Sequence, residues 1–284
     1  MREIFSLIVS FILTHFSFAQ KQSLLWQVSG NGLSKPSYIY GTIHMICKED
    51  MNLSPVLKQK FAETEKVYLE LDIDDKEMMA SMQKLSLLPP DKTLKSFFTS
   101  REYARVNQFF NDEVGVSLTL FEKMKPIVLM SVLYTKCLPC IVPASFEMRF
   151  VEMAKAKQKE VEGLETAQEQ MMLFDNLPDD AQKKMVLSVI DSFATAKKNA
   201  NHLVTLYTKQ QLDKLYERTV NSPDMAGSKE ALVDNRNKKW IPILEKNMHS
   251  KICFIAVGAG HLGGETGILN LLKKKGYAVE PVMN

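Results

Sequence analysis

Apolar and polar positions change their spacing several times along this chain, and each change marks an element. "SLLWQVSG" and "SYIYGTIH" are short apolar runs separated by a turn at Asn31-Gly32, with Lys35-Pro36 beyond it. They predict two strands. "SPVLKQKFAETE" shifts to helical spacing, with Ser54 placed as N-cap and Pro55 at the first helical position. "KVYLELDID" alternates at period two and predicts a third strand. In it Val67, Leu69, Leu71 and Ile73 take one face, and Tyr68, Glu70, Asp72 and Asp74 the other. Residues 75 to 160 read mostly as helix, broken at "LLPPDKT" and "CLPCIVP". "KEVEGLE" predicts a short fourth strand. Residues 166 to 248 are helical again, with stops near Pro178 and Pro223. "KICFIAV" predicts a fifth strand, "GGETGILNLLKKKG" a helix closed by Gly276, and "YAVEPV" a sixth strand.

Strands therefore gather at the two ends of the chain and helices fill the middle. The expected fold class is α/β (α+β): a central mixed sheet built from the N- and C-terminal strands, with a large helical middle section. No repeat, linker or low-complexity tract divides it, so residues 20–284 are expected to form a single domain. The methionines of the helical section (Met124, Met130, Met148, Met153, Met171, Met172 and Met185) read as core filler.

The first nineteen residues change the picture. Arg2, an apolar run from Ile4 to Phe18, and small residues at Ser17 and Ala19 have the form of a secretory signal peptide cleaved before Gln20. The expected location is exported, periplasmic or secreted. No cysteine follows the cleavage point, which argues against a lipoprotein. No later apolar stretch is long enough to span a bilayer, so no integral membrane segment is expected in the mature chain. Net charge is +3, and basic clusters carry no interleaved aromatics. Nucleic acid is thus not an expected partner.

Export permits disulfides. "CLPC" at 137–140 is most simply read as a local Cys137–Cys140 bridge. A zinc ribbon would need a second such pair, and a thioredoxin-like site would need a strand before a helix start. Cys47 and Cys253 are left as free or paired.

Chemistry enters with the histidines. His44 and His261 each follow an apolar strand and a glycine, in "YIYGTIH" and "CFIAVGAGH". Both are expected at the C-terminal ends of strands, where open α/β sheets place ligands. "GAGHLG" also fits the dinucleotide pattern through Gly258, Gly260 and Gly263, with Glu280 as a ribose-binding acid. That reading leaves "GTIH" unexplained. Glu70 is expected to face the same cleft as His44, and Glu165, in "VEGLET", leaves a neighbouring strand end. Two imidazoles and carboxylates suit a divalent first-row metal ion with open positions for water. Such an ion lowers the pKa of water to about 7. Metal binding requires neutral imidazoles, so activity is expected to fall in acid.

The ordered set "LWQVSG…PSYIYGTIHM", "VYLELD", "KP" at 125–126, "VEGLETAQEQ", "RN" at 236–237 and "AVGAGHLGGETGILNLLKKKGYAV" resembles the TraB/PrgY/GumN family, which includes the TIKI proteases. The resemblance spans nearly all of the mature chain. It implies a metal-dependent hydrolase, in the first place a peptidase acting on a peptide or protein substrate. It implies His44, Glu70 and His261 as metal ligands, with Glu70 a ligand or general base. Glu165, Arg236 and Asn237 become supporting catalytic residues, and the ion manganese, cobalt or zinc. Arg236 reads equally as a substrate clamp and as a helix-surface residue in "DNRNKK". The family often has an aspartate opening a helix upstream of "LET"; here Glu147, in "ASFEMRF", stands in that place. The alternatives are a non-catalytic binder of metal or small ligand, and a metal-free esterase with a histidine base.

Overall fold

A tight turn starts the sheet. Gly30, Asn31 and Gly32 all take left-handed backbone angles (φ +77°, +46° and +82°). Glycine and asparagine tolerate this at least cost. The turn folds β1 (Leu25–Ser29) back on β2 (Ser37–Thr42) as an antiparallel pair. The computed structural model describes residues 22–222, 225 and 228–283. The expected signal peptide and Pro223 lie outside them.

The other strands are β3 (Lys66–Leu69), β4 (Glu160–Gly163), β5 (Cys253–Gly258) and β6 (Ala278–Pro281). All six form one sheet in the order β4-β3-β5-β2-β1-β6. β2 is parallel to β5, β5 to β3 and β3 to β4, while β1 is antiparallel to both β2 and β6. The sheet is therefore mixed, with β1 alone reversed. β2 is buried along its whole length and β5 up to Val257. Burial of both faces explains why these segments read as continuous apolar runs. Among the described residues eleven α-helices accompany the sheet, most of them between β3 and β5. The expected mixed sheet with a helical middle is what the chain forms.

Aromatic packing fixes one helix that matters for the site. Phe254 of β5 lies 4.9 Å, ring centre to ring centre, from both Phe61 and Phe150. Tyr40 of β2 meets Phe150 at 5.6 Å and Phe146 at 5.8 Å. Aromatic pairs of this kind add about 0.5–1.5 kcal/mol beyond burial. They hold the helix Phe146–Ala156 against the sheet, with its first turn at the end of β2. A second apolar cluster, including Leu94, Val106, Phe110, Leu129 and Val186, is confined to the helical section. Of the methionines expected in cores, Met130 and Met171 are buried, but Met148 and Met172 are exposed.

Two expectations need correction. β3 stops at Leu69, so Glu70, Asp72 and Asp74 do not share one strand face. The chain turns instead: Ile73 N–H donates to Leu71 O, and Asp75 N–H to Asp72 O. The ladder with the neighbouring strand does run on, with Leu164 N–H bonded to Leu69 O and Glu165 N–H to Glu70 O. Glu70 and Glu165 thereby leave the sheet side by side. Second, "CLPC" does not close on itself, because Cys140 is bonded to Cys47 across 93 residues. Cys137 is buried at the end of the helix Pro126–Cys137, whereas Cys140 lies past the turn at Leu138-Pro139. Reciprocal backbone bonds between Ile46 and Ala144 align the two loops that the disulfide joins.

Candidate functional site

Four adjacent parallel strands deliver the site. β4, β3, β5 and β2 end, in that spatial order, at Glu165, Glu70, His261 and His44 or within a few residues of them. This is the carboxyl edge of the sheet, where α/β folds place ligands.

Gly258 lies at the meeting point. A Cβ on this residue would stand 3.3 Å from Glu70 Oε1, 3.6 Å from His44 Nε2 and 3.7 Å from His261 Cδ2. Glycine thus keeps open a gap that two imidazoles and a carboxylate face. Its backbone N–H also donates to Glu70 Oε1 at 2.8 Å.

Each imidazole is held by its other nitrogen. His44 Nδ1 is 3.1 Å from Glu147 Oε1, and that carboxylate also accepts from Thr42 and Ser145, both at 2.7 Å. His261 Nδ1 is 2.7 Å from Asn237 Oδ1. Asn237 Nδ2 donates to His261 O and Thr266 O, so its oxygen must accept, and the His261 proton sits on Nδ1. Nε2 of His261 then carries a lone pair.

Arg236 gathers the acids. Its Nε and Nη2 bond both oxygens of Glu165, at 3.0 and 2.7 Å. Nη2 also reaches Glu70 Oε2 at 2.5 Å, and Nη1 reaches His261 Nε2 at 3.0 Å. The indole of Trp240 lies 4.7 Å from the guanidinium carbon and 4.6 Å from the His261 ring. Gln170 donates to Glu165 Oε1 at 3.0 Å.

These contacts set the charges. Burial opposes the Glu70 carboxylate, but Arg236, the histidines and the Gly258 N–H outweigh it and hold its pKa well below the usual range. For Glu165, burial prevails over Arg236 and the pKa is raised. Burial pushes His261 down to about 3. At His44, burial acts against charge, and the Glu147 hydrogen bond with nearby Glu70 outweighs it, so the pKa is raised. The His44 side chain is 68% exposed, and solvent weakens both influences there.

The donor set matches the divalent ion that the sequence suggests in its chemistry, not in its spacing. Among the described residues, no three His, Cys, Asp or Glu side chains already stand close enough to chelate. The chemistry nevertheless fits. Both histidines have Nδ1 fixed by an oxygen acceptor, the arrangement that orients metal-ligating imidazoles. Glu70 and Glu165 share the Arg236 guanidinium and Glu147 is paired with His44, so with both rings neutral three carboxylates meet one fixed positive charge. What stands in the way is Arg236, which occupies lone pairs of Glu70 and His261.

All six predicted site residues, His44, Glu70, Glu165, Arg236, Asn237 and His261, come together. Glu147 joins them through His44. Sequence reasoning missed Trp240, Thr42 and Gln170. Trp240 follows Arg236 by four residues on the helix Asn235–Ser250, which is same-face spacing. Thr42 shares strand parity with His44. The dinucleotide reading fails on packing. Tyr216 lies against Gly263 and Gly264, and Thr219 against Gly260, leaving no cradle for a pyrophosphate. Glu280 is on β6, beside β1 and remote in the sheet from β5. A cavity of about 580 Å³ opens among the helices, near Tyr134, His202, Lys214 and Arg218, but none of the site residues lines it.

The TraB/PrgY/gumN family matches residues 24–281. The chain belongs to this family. Three curated relatives are named as TIKI metalloproteases. "Metalloprotease TIKI1" of Danio rerio is 22% identical over 91% of this chain and 63% of its own length. "Metalloprotease TIKI homolog" of Amphimedon queenslandica is 23% identical over 92% and 62%. The homolog of Nematostella vectensis is 23% identical over 92% and 67%. The chain thus spans about two thirds of these relatives. No solved structure matches it. No helix among the described residues is long and apolar enough to cross a membrane.

Proposed function

We propose that this TraB/PrgY/gumN family member is a metal-dependent peptidase, with His44, Glu70 and His261 as the residues that would hold a divalent ion of manganese, cobalt or zinc. The observation that carries this reading is the gap at Gly258, faced by all three side chains. The names of the relatives support the peptidase class. When bound, such an ion supplies Lewis acidity and a water acidic enough to act at neutral pH.

The chain's own groups do the rest. Glu147 and Asn237 fix the two rings through Nδ1; His44 Nε2 faces the gap, while His261 Nε2 accepts from Arg236. Glu70 is kept ionised by Arg236 and the Gly258 N–H. Arg236, held by Glu165, is placed to stabilise negative charge developing on a carbonyl oxygen. The Cys47–Cys140 bridge supports an oxidising location, and we place the protein outside the cytosol, in a periplasm or secreted.

Digestion of a peptide library with manganese, cobalt or zinc added, beside His44→Ala and His261→Ala, tests the proposal. Cleavage is expected to fall at least about 100-fold in each variant, the scale typical of lost catalytic groups. Cleavage that survives both substitutions would end it. A second reading, metal-free hydrolysis with His44–Glu147 as the base pair, is favoured by one observation: Arg236 already fills His261 Nε2 and one oxygen of Glu70. Cleavage insensitive to chelators but lost in His44→Ala would select that reading.

A further inference from the structure

The guanidinium of Arg236 has five N–H donors, and all five are used. Nε and one Nη2 hydrogen go to Glu165, and one Nη1 hydrogen goes to Leu232 O at 3.0 Å. The remaining two, one on each Nη, go to His261 Nε2 and Glu70 Oε2. Those last two acceptors belong to residues that are ligands in the reading above, on which this inference rests. Three bonds tie the arginine to groups an ion does not need, and two tie it to groups an ion does.

We propose that Arg236 and the divalent ion compete for Glu70 and His261, and that ion binding frees two adjacent N–H donors to grip a carboxylate or carbonyl oxygen of the substrate. Before loading, the arginine serves as a resident cation for two buried carboxylates, which would otherwise repel each other. After it surrenders two bonds, Glu165 still holds it through Nε and Nη2, so it stays at the site rather than swinging into solvent. The freed donors form the planar fork suited to oxygen pairs. The order of events follows: ion first, acyl substrate second. A merely structural arginine would neutralise the acids and keep all five bonds whether or not an ion arrives.

Trp240 provides a reporter that does not depend on turnover. It packs on both Arg236 and His261, and the chain has one other tryptophan, Trp26. Wild type, Arg236→Lys and Arg236→Gln are stripped with chelator, checked for a cooperative melt, and titrated with zinc by calorimetry and by indole fluorescence. Lysine keeps the charge but lacks the fork. Competition predicts zinc bound at least about tenfold more tightly by both variants than by wild type, the factor that a difference of about 1.4 kcal/mol produces. It also predicts a fluorescence change in wild type that shrinks in Arg236→Lys. If Arg236→Lys binds like wild type and only Arg236→Gln tightens, the arginine acts by charge repulsion alone and displacement is refuted. Equal or weaker binding in both variants refutes it too. If Arg236→Gln does not fold, Arg236→Lys decides the matter. If folded wild type and variants bind none of zinc, manganese or cobalt, the metal reading itself falls and takes this inference with it.

Discussion

His44 and His261 end the same short phrase, glycine followed three residues later by histidine, yet their loops are built in opposite ways. The His261 side chain is 8% exposed and that of His44 is 68% exposed. The buried loop is held by non-covalent means: the Asn237 amide spans the ring and two carbonyls, Trp240 covers one face, and Tyr216 packs on the glycines. The exposed loop has a covalent tie, Cys47–Cys140, and a single carboxylate, Glu147, that gathers Thr42, His44 and Ser145. Burial depresses one imidazole and a carboxylate raises the other. A repeated motif fixes where two side chains arrive, while the surroundings decide what each is there.

Three variants probe that contrast. The largest loss of stability is expected from Cys47→Ser with Cys140→Ser, about 2–4 kcal/mol, because the bridge closes a long loop in the unfolded chain. Urea unfolding with and without reductant measures it. An unchanged midpoint would mean that the exposed loop does not depend on its bond. Next is Asn237→Ala, expected to cost about 2–3 kcal/mol, since it strands the buried His261 carbonyl and Nδ1–H and the half-buried Thr266 carbonyl. A loss below about 1 kcal/mol would show that solvent can replace the amide, and the contrast between the loops would shrink. The smallest effect on stability belongs to Glu147→Gln, expected within about 1 kcal/mol because His44 is largely hydrated. If the proposed peptidase activity is present, the same variant should slow cleavage several-fold, which would separate orientation of the ring from support of the fold.

Much of this is legible in the sequence. β2 and β5 announce themselves as apolar runs, and a histidine just past such a run must lie at a sheet edge. Ser54 is where its sequence context places it, accepting from Leu57 N–H at the start of its helix. Other features were hidden for physical reasons. Alternation in "VYLELDID" continues after the strand has ended, because hydropathy does not register a change in backbone angles. Arg236 stands in a charged run that reads as solvated, and its five bonds depend on partners up to 166 residues away. The Cys47–Cys140 pairing depends on two loops meeting in space, which local spacing cannot express.

The position of β5 carries a consequence for how the molecule is made. It is the fifth strand to be synthesised, yet it lies between β2 and β3. Until residues 253–258 leave the ribosome, those two strands have exposed edges and nothing between them. Open edges invite pairing with other chains. Nascent chains arrested short of this segment should therefore be the aggregation-prone species, and a holdase that shields early strands should matter more to yield than one that acts on the finished polypeptide.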